Sequence, residues 1–243
     1  MNFDSIEIDS KVRKAIQKFW LTRASQAQRQ GSSTGVRDAG ARVAVTGGAQ
    51  MDGFSDIIKQ SLHSAGVSEA FIFQNKKLVI PGWYRAEKKW DLLVVADGKF
   101  AAGIELKSQV GSFGNNFNNR AEEAIGSATD LWAAYREGAF EPSPRPWLGY
   151  LMLLEEAPKS LSAVKVQQPH FKVFPEFIGA SYTKRYELLL TKLVRDRLYD
   201  SACLLLSSQS GGDRGEYSEP SSELSFYRYL RSLVSHTVAI AVT

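Results

Sequence analysis

Val12, Ile16, Phe19 and Trp20 recur at the three- and four-residue spacing of one helix face, and the positions between them are mostly basic or polar. The pattern predicts a helix over about residues 10–30, with Ser10 placed to cap its start. A second amphipathic run, Phe54, Ile57, Ile58, Leu62 and Ala65, ends at Gly66. Between the two runs lies a stretch from Gly31 to Gly53 with six glycines, for which no regular element is predicted. Strand signals follow. Phe71–Phe73 and Leu78–Ile80 are short, and Pro81-Gly82 breaks the second. Asp91–Val95 and Phe100–Leu106 flank Asp97-Gly98, a dipeptide that favours a tight hairpin. Ala121, Ala124, Ile125, Ala128, Leu131, Trp132 and Tyr135 then mark one face of a helix over Asn119–Glu137, stopped by Gly138. Beyond Pro142, Pro144 and Pro146, the continuous apolar run Trp147–Leu154 reads as a strand buried on both faces. A helix over Tyr182–Leu198, a buried strand over Ala202–Leu206 and a closing helix over Leu224–Val238 complete the order. With no internal repeat and no linker, residues 1–243 are expected to form a single α/β domain with a core order αβββαβ.

Composition narrows the class. At 44% hydrophobic residues the chain can build a substantial core, and no apolar run approaches the ~18–20 residues of a membrane span. The first residues, MNFDSIEID, are acidic where a secretory signal would be basic and then apolar, so a cytoplasmic protein is expected. One cysteine, Cys203, excludes an internal disulfide, and His63, His170 and His236 are too scattered for a zinc cluster. The net charge of +4 is unevenly spread. Eight basic residues between Lys11 and Arg42 stand against Asp38 alone, and five between Lys76 and Lys89 against Glu87. Such clustering points to a polyanionic partner, although two solvated faces would carry the same charges. Residues of about 10–53, basic helix and glycine-rich stretch together, are the candidate element for contacting it.

The chemistry concentrates on the hairpin. Strand side chains alternate, so Glu105 and Lys107 share one face while Ile104 and Leu106 enter the core on the other. Asp91 begins the preceding strand. Two carboxylates and a lysine side by side suit metal-assisted phosphodiester hydrolysis: the acids hold a hard divalent cation, and the lysine orients or deprotonates a water or stabilises charge. Register tests the idea. A two-residue turn at Asp97-Gly98 would set Asp91 opposite Ile104 and send the two carboxylates to opposite faces. The reading therefore predicts a three-residue turn that brings Asp91 opposite Gly103 with room for a metal, a compensating bulge, or a kink at Asp91. A bare D…ExK occurs by chance in many proteins, and a charged pair on an exposed strand face is the alternative.

The residues around this motif carry a resemblance. Pro81-Gly82-Trp83-Tyr84, Trp90-Asp91-Leu92-Leu93-Val94-Val95, Glu105-Leu106-Lys107-Ser108-Gln109 and Phe113-Gly114-Asn115-Asn116-Phe117-Asn118-Asn119-Arg120 are similar to the XhoI-type restriction endonucleases. The likeness runs on through Glu123–Trp132 and Pro146–Tyr150. It implies the restriction-endonuclease-like PD-(D/E)XK fold, a mixed sheet flanked by helices, and Mg²⁺-dependent cleavage of double-stranded DNA by a homodimer. The implied site is the palindrome CTCGAG, cut to leave 5′-phosphates and 5′ extensions. It assigns Asp91 and Glu105 as metal ligands and Lys107 as the catalytic lysine; the Leu106 carbonyl, waters and the scissile phosphate are expected to complete the Mg²⁺ shell. The proline of the family pattern is Trp90 here. An additional site acid could come from Asp52, Asp56, Glu69 or Glu87. A cognate DNA methyltransferase is expected as a functional companion, not as a stable complex.

Gln109, Asn115, Asn116, Asn118, Asn119 and Arg120 are the candidate DNA contacts, because Asn and Gln can pair with adenine edges and Arg with guanine. Asn and Gly are also ordinary loop and capping residues. Two other readings stay open at this stage: a structure-specific repair or junction nuclease with the same metal site, and a DNA-binding protein that does not cut.

Overall fold

A computed structural model describes residues 4–34 and 49–242. Helix α1 spans Ser5–Thr34, longer at its start than the pattern predicts. The Asp4 carboxylate accepts the Ile6 N–H (2.8 Å) and Ile8 extends the buried stripe back by one turn, so Ser10 lies inside the helix and caps nothing. The glycine-rich candidate DNA element falls largely outside the described residues. Helix α2, Asp52–Ser64, follows, and its buried Phe54, Ile57, Ile58 and Leu62 confirm the amphipathic reading.

The strands are β1 (Ile72–Gln74), β2 (Val79–Pro81), β3 (Glu87–Lys89), β4 (Leu92–Ala96) and β5 (Lys99–Gln109). Helix α3 covers Phe113–Arg136, and then come β6 (Trp147–Glu155), helix α4 (Tyr182–Arg195), β7 (Ser201–Ser207) and helix α5 (Phe226–Ala241). The main sheet runs β1-β4-β5-β6-β7. Its first three strands are antiparallel and its last three parallel, which makes it mixed, as expected. β2 and β3 form a separate two-stranded ribbon that sequence reading saw only in part, since Glu87-Lys88-Lys89 carries no strand signal.

Each face of the sheet buries a core. On one side Leu92, Ile104, Leu106, Leu151 and Cys203 pack against Val12, Ile16 and Phe19 of α1, Phe54 and Ile58 of α2, and Leu230 and Leu233 of α5. On the other, Leu93, Leu148, Tyr150 and Met152 meet Ala128 and Leu131 of α3 and Tyr186 and Leu190 of α4. β6 is buried on both faces because helices cover both. Among the described residues no helix is long and apolar enough to cross a membrane.

The hairpin settles its register in an instructive way. Ala96 pairs with Lys99 across Asp97 and Gly98, both left-handed (φ 49° and 77°), so the turn has two residues, not three. One step in, the pairing slips: Val95 faces Phe100 but Val94 faces Ala102, leaving Ala101 as an extra residue. That bulge sets Leu92 opposite Ile104, and extending the pairing by one residue brings Asp91 to the level of Glu105, on its face. Gly103 lies opposite Leu93, not opposite Asp91. A Cβ there would come within 3.1 Å of the Phe100 ring and 3.3 Å of Leu148, so its bare backbone serves packing.

Candidate functional site

Asp91 sits just ahead of β4, its N–H donated to the Ile104 carbonyl (3.2 Å). Its carboxylate turns back over β5 and accepts the Leu106 N–H (2.8 Å) and the Lys107 ammonium (3.0 Å). A residue's N–H and C=O point to the same side of a strand, so the Leu106 carbonyl is also directed towards Asp91. Glu105 is 2% exposed and stands opposite Tyr150 on β6. Two lysines serve its carboxylate, Lys107 from its own strand and Lys88 from the ribbon. The Lys88 ammonium lies over the Trp90 ring, 4.3 Å from its centre. The two acids and two ammoniums balance, which is what makes so buried a cluster tolerable.

The electrostatics follow from this packing. Burial works to raise the Glu105 carboxyl, but the Lys107 and Lys88 ammoniums outweigh it and hold it below the usual range. For Asp91 burial prevails and raises the carboxyl, against Lys107 and the Leu106 N–H. Burial would lower Lys107, yet the Glu105 and Asp91 carboxylates raise it, so it is a firmly held ammonium. The Tyr150 hydroxyl is pushed far up by burial and stays neutral. It is buried with no hydrogen-bond partner among the described residues and lines a 300 Å³ hollow with Glu105, Lys107, Lys88 and Arg120. A larger cleft of 530 Å³ opens on Asp91, Leu106, Lys107 and Asp52.

A hard divalent cation suits the donors present: the Asp91 and Glu105 carboxylates and the Leu106 carbonyl are all oxygen ligands on neighbouring backbone. No group of three or more His, Cys, Asp and Glu side chains gathers for a metal among the described residues, so waters and substrate oxygens would complete the shell. Of the four candidate additional acids, Asp52 alone lines the cleft. Burial raises its carboxyl, with Lys18 opposing and Asp56 adding. Asp56 pairs with Lys18 (3.1 Å), Glu69 with Lys59 (3.5 Å), and Glu87 is exposed on β3.

The candidate DNA contacts divide. Helix α3 starts at Phe113, so Asn115, Asn116, Asn118, Asn119 and Arg120 belong to its first turns, not to a loop. Asn115, Asn118 and Asn119 are exposed. Arg120 is ion-paired to Glu123 (2.6 Å) and lines both the cleft and the hollow. Gln109 is different: it is 3% exposed, its amide oxygen accepts the Tyr186 hydroxyl, and its amide nitrogen donates to the Gly111 carbonyl (3.4 Å). Its place on the same face of β5 as Glu105 and Lys107 sends it beneath α4, so it is removed from the candidate contacts. Sequence reading passed over Lys88 and Tyr150. In sequence Lys88 is one charge among several, and Tyr150 is one more apolar strand position.

Comparisons with known proteins agree on one family. The model of the family described as Restriction endonuclease XhoI matches residues 29–219. Type II restriction enzyme BstVI of Geobacillus stearothermophilus is 53% identical over 211 residues, 84% of this chain and 94% of that protein. Type II restriction enzyme XhoI of Xanthomonas vasicola is 45% identical over 197 residues, 80% and 78% of the two chains. Type II restriction enzyme AbrI of Azospirillum brasilense is 45% identical over 174 residues, 71% and 78% of the two chains. No solved structure matches.

Proposed function

The chain belongs to the XhoI restriction endonuclease family, and from that premise we propose that it binds CTCGAG as a homodimer and uses Mg²⁺ to cut one phosphodiester in each strand. Cuts staggered about the two-fold axis leave 5′-phosphates on 5′ extensions. A palindrome matches a dimer because each protomer presents the same site to the same half-sequence. The meeting of Asp91, Glu105 and Lys107 at one point, made possible by the bulge at Ala101, is the observation that carries this reading.

Asp91, Glu105 and the Leu106 carbonyl would hold the cation. When bound, Mg²⁺ stabilises charge on the phosphate oxygens and acidifies water. Lys107, an ammonium wedged between the two carboxylates, supplies fixed positive charge beside the scissile phosphate and a donor to orient the attacking water. Lys88 is ion-paired to Glu105, and it would be free to meet the phosphate backbone if a cation took its place on that carboxylate. Arg120 adds a cation at the mouth of both hollows. Asn115, Asn116, Asn118 and Asn119, at the start of α3, would read base edges in the major groove. A host of such an enzyme needs a methyltransferase to protect its own CTCGAG sequences.

One digestion tests the proposal. Purified protein is incubated with long unmethylated DNA of known sequence, with Mg²⁺ or with EDTA, and the fragment ends are sequenced. Discrete Mg²⁺-dependent fragments ending within CTCGAG are expected. Fragments at another sequence discard the specificity and keep the chemistry. Nicking that follows DNA structure instead of sequence, or no cleavage by folded protein, overturns the reading.

A further inference from the structure

The β2–β3 ribbon ends in the turn Gly82–Ala86, which carries two large aromatic side chains into solvent: Trp83 is 54% exposed and Tyr84 73%. Burying rings of this size would contribute about 1.5–3 kcal/mol each, so leaving them in water does nothing for the fold. The turn is nevertheless held rigidly. Asp130, 4% exposed on α3, accepts the N–H groups of Trp83 and Tyr84 at 2.8 Å each and the Arg85 guanidinium at 2.7 Å. Gly82 is part of the fit, since a Cβ there would collide with both oxygens of that carboxylate. An exposed turn ordinarily satisfies its N–H groups with water; here a buried anion gathers three donors and fixes the direction in which the rings project.

The ribbon also borders the catalytic residues on both sides. Arg85 and Lys88 line the hollow that holds Glu105 and Lys107, and Lys89 lines the cleft that holds Asp91. With Lys76 and Lys77 just before it, the segment carries five basic residues against Glu87. We propose that this ribbon is a second DNA-contacting element: Trp83 and Tyr84 lay their exposed rings on the duplex beside the scissile phosphate, and Asp130 holds them in position. The inference rests on the nuclease reading above. A two-stranded ribbon has the width to enter the major groove, aromatic rings there meet thymine methyl groups and base edges, and the basic flanks meet the phosphates. A second copy of this chain is the other surface that could cover the rings, but the excess of positive charge around them disfavours self-contact and favours a polyanion.

Trp83 makes the test direct. The other four tryptophans, Trp20, Trp90, Trp132 and Trp147, are each at most 8% exposed, so quenching of tryptophan fluorescence by acrylamide reports chiefly on Trp83. The probe is a short duplex centred on the sequence the enzyme cuts, with Ca²⁺ in place of Mg²⁺, and binding is followed separately by anisotropy. Saturating duplex is expected to reduce the accessible quenching at least twofold in the wild type and to change nothing in Trp83→Phe. Trp83→Ala and Tyr84→Ala should each weaken binding roughly 5- to 100-fold, the range for loss of one stacked or packed ring, without altering the salt dependence, because no charge is removed. Duplex binding with unchanged quenching overturns the proposal. So does protection of Trp83 before DNA is added, rising with protein concentration, which would assign the rings to the dimer surface. If anisotropy detects no binding and no sequence is cut, the nuclease reading itself fails, a result distinct from either.

Discussion

Replacing Asp130 by alanine removes one carboxylate from three donors at once, and the structure allows the cost to be worked through. Hydrogen bonds to a charged acceptor contribute about 1.5–3 kcal/mol each when shielded from water. The turn is partly open, so water can serve the freed Trp83 and Tyr84 N–H groups, and about 1 kcal/mol apiece is the reasonable share. The Arg85 guanidinium is 46% exposed, which limits its ion pair to about 0.5 kcal/mol. The total is about 2–3 kcal/mol, equivalent to a fall in Tm of roughly 5–10 °C for a domain of this size. Asp130→Asn keeps one acceptor oxygen and loses the charge, so it should cost about half as much. The pH dependence has a definite sign. Burial works to raise the Asp130 carboxyl, but the Arg85 hydrogen bond and the two N–H groups outweigh it and hold it below its ordinary value. The clamp's contribution is therefore complete above the ordinary aspartate pKa and is lost as the pH falls through the lower folded value. Urea unfolding of wild type and variant should show the widest gap near neutrality and convergence in acid. A difference under about 0.5 kcal/mol at neutral pH would refute the clamp and leave the fixed projection of Trp83 and Tyr84 without a cause.

Three further outcomes follow from the same geometry. Lys107→Ala should abolish cleavage while leaving specific duplex binding within a few-fold of wild type; gel shifts in Ca²⁺ that show binding lost and cutting retained would contradict the role given to it. Lys88→Met removes one of the two ammoniums on Glu105, so the carboxylate is less occupied and Mn²⁺ should bind the free protein several-fold more tightly by calorimetry, with equal affinity as the refuting result. Asn118→Ala or Arg120→Ala should reduce discrimination between CTCGAG and one-base variants by about 1–3 kcal/mol at the affected position, read from cleavage rates on the two duplexes. Undiminished discrimination in both variants would move base readout to other residues.

The elements that sequence alone determined are those governed by local periodicity. The hairpin at Asp97-Gly98, the continuously apolar β6 and β7, and the shared face of Glu105 and Lys107 follow from alternation and turn chemistry within a few residues. The D…ExK spacing and the flanking stretches then made the family legible. What only the tertiary structure decided depends on partners far along the chain. The bulge at Ala101 is a property of the pairing of two strands, and no local signal separates it from a three-residue turn. The early start of α3 runs against the weak helix propensity of Gly114, Asn115 and Asn116. Phe113 stacks on Tyr182 at 5.9 Å and Phe117 meets Tyr186 at 5.0 Å, and this docking on α4 outweighs that preference. Gln109 has the chemistry of a base reader, but α4 covers it. Lys88 reaches Glu105 across 17 residues and Asp130 reaches the Trp83–Tyr84 turn across 46 and 47. Such charges appear in sequence only as polar positions; burial beside a chosen partner, which removes water as the competitor, is what gives them a function.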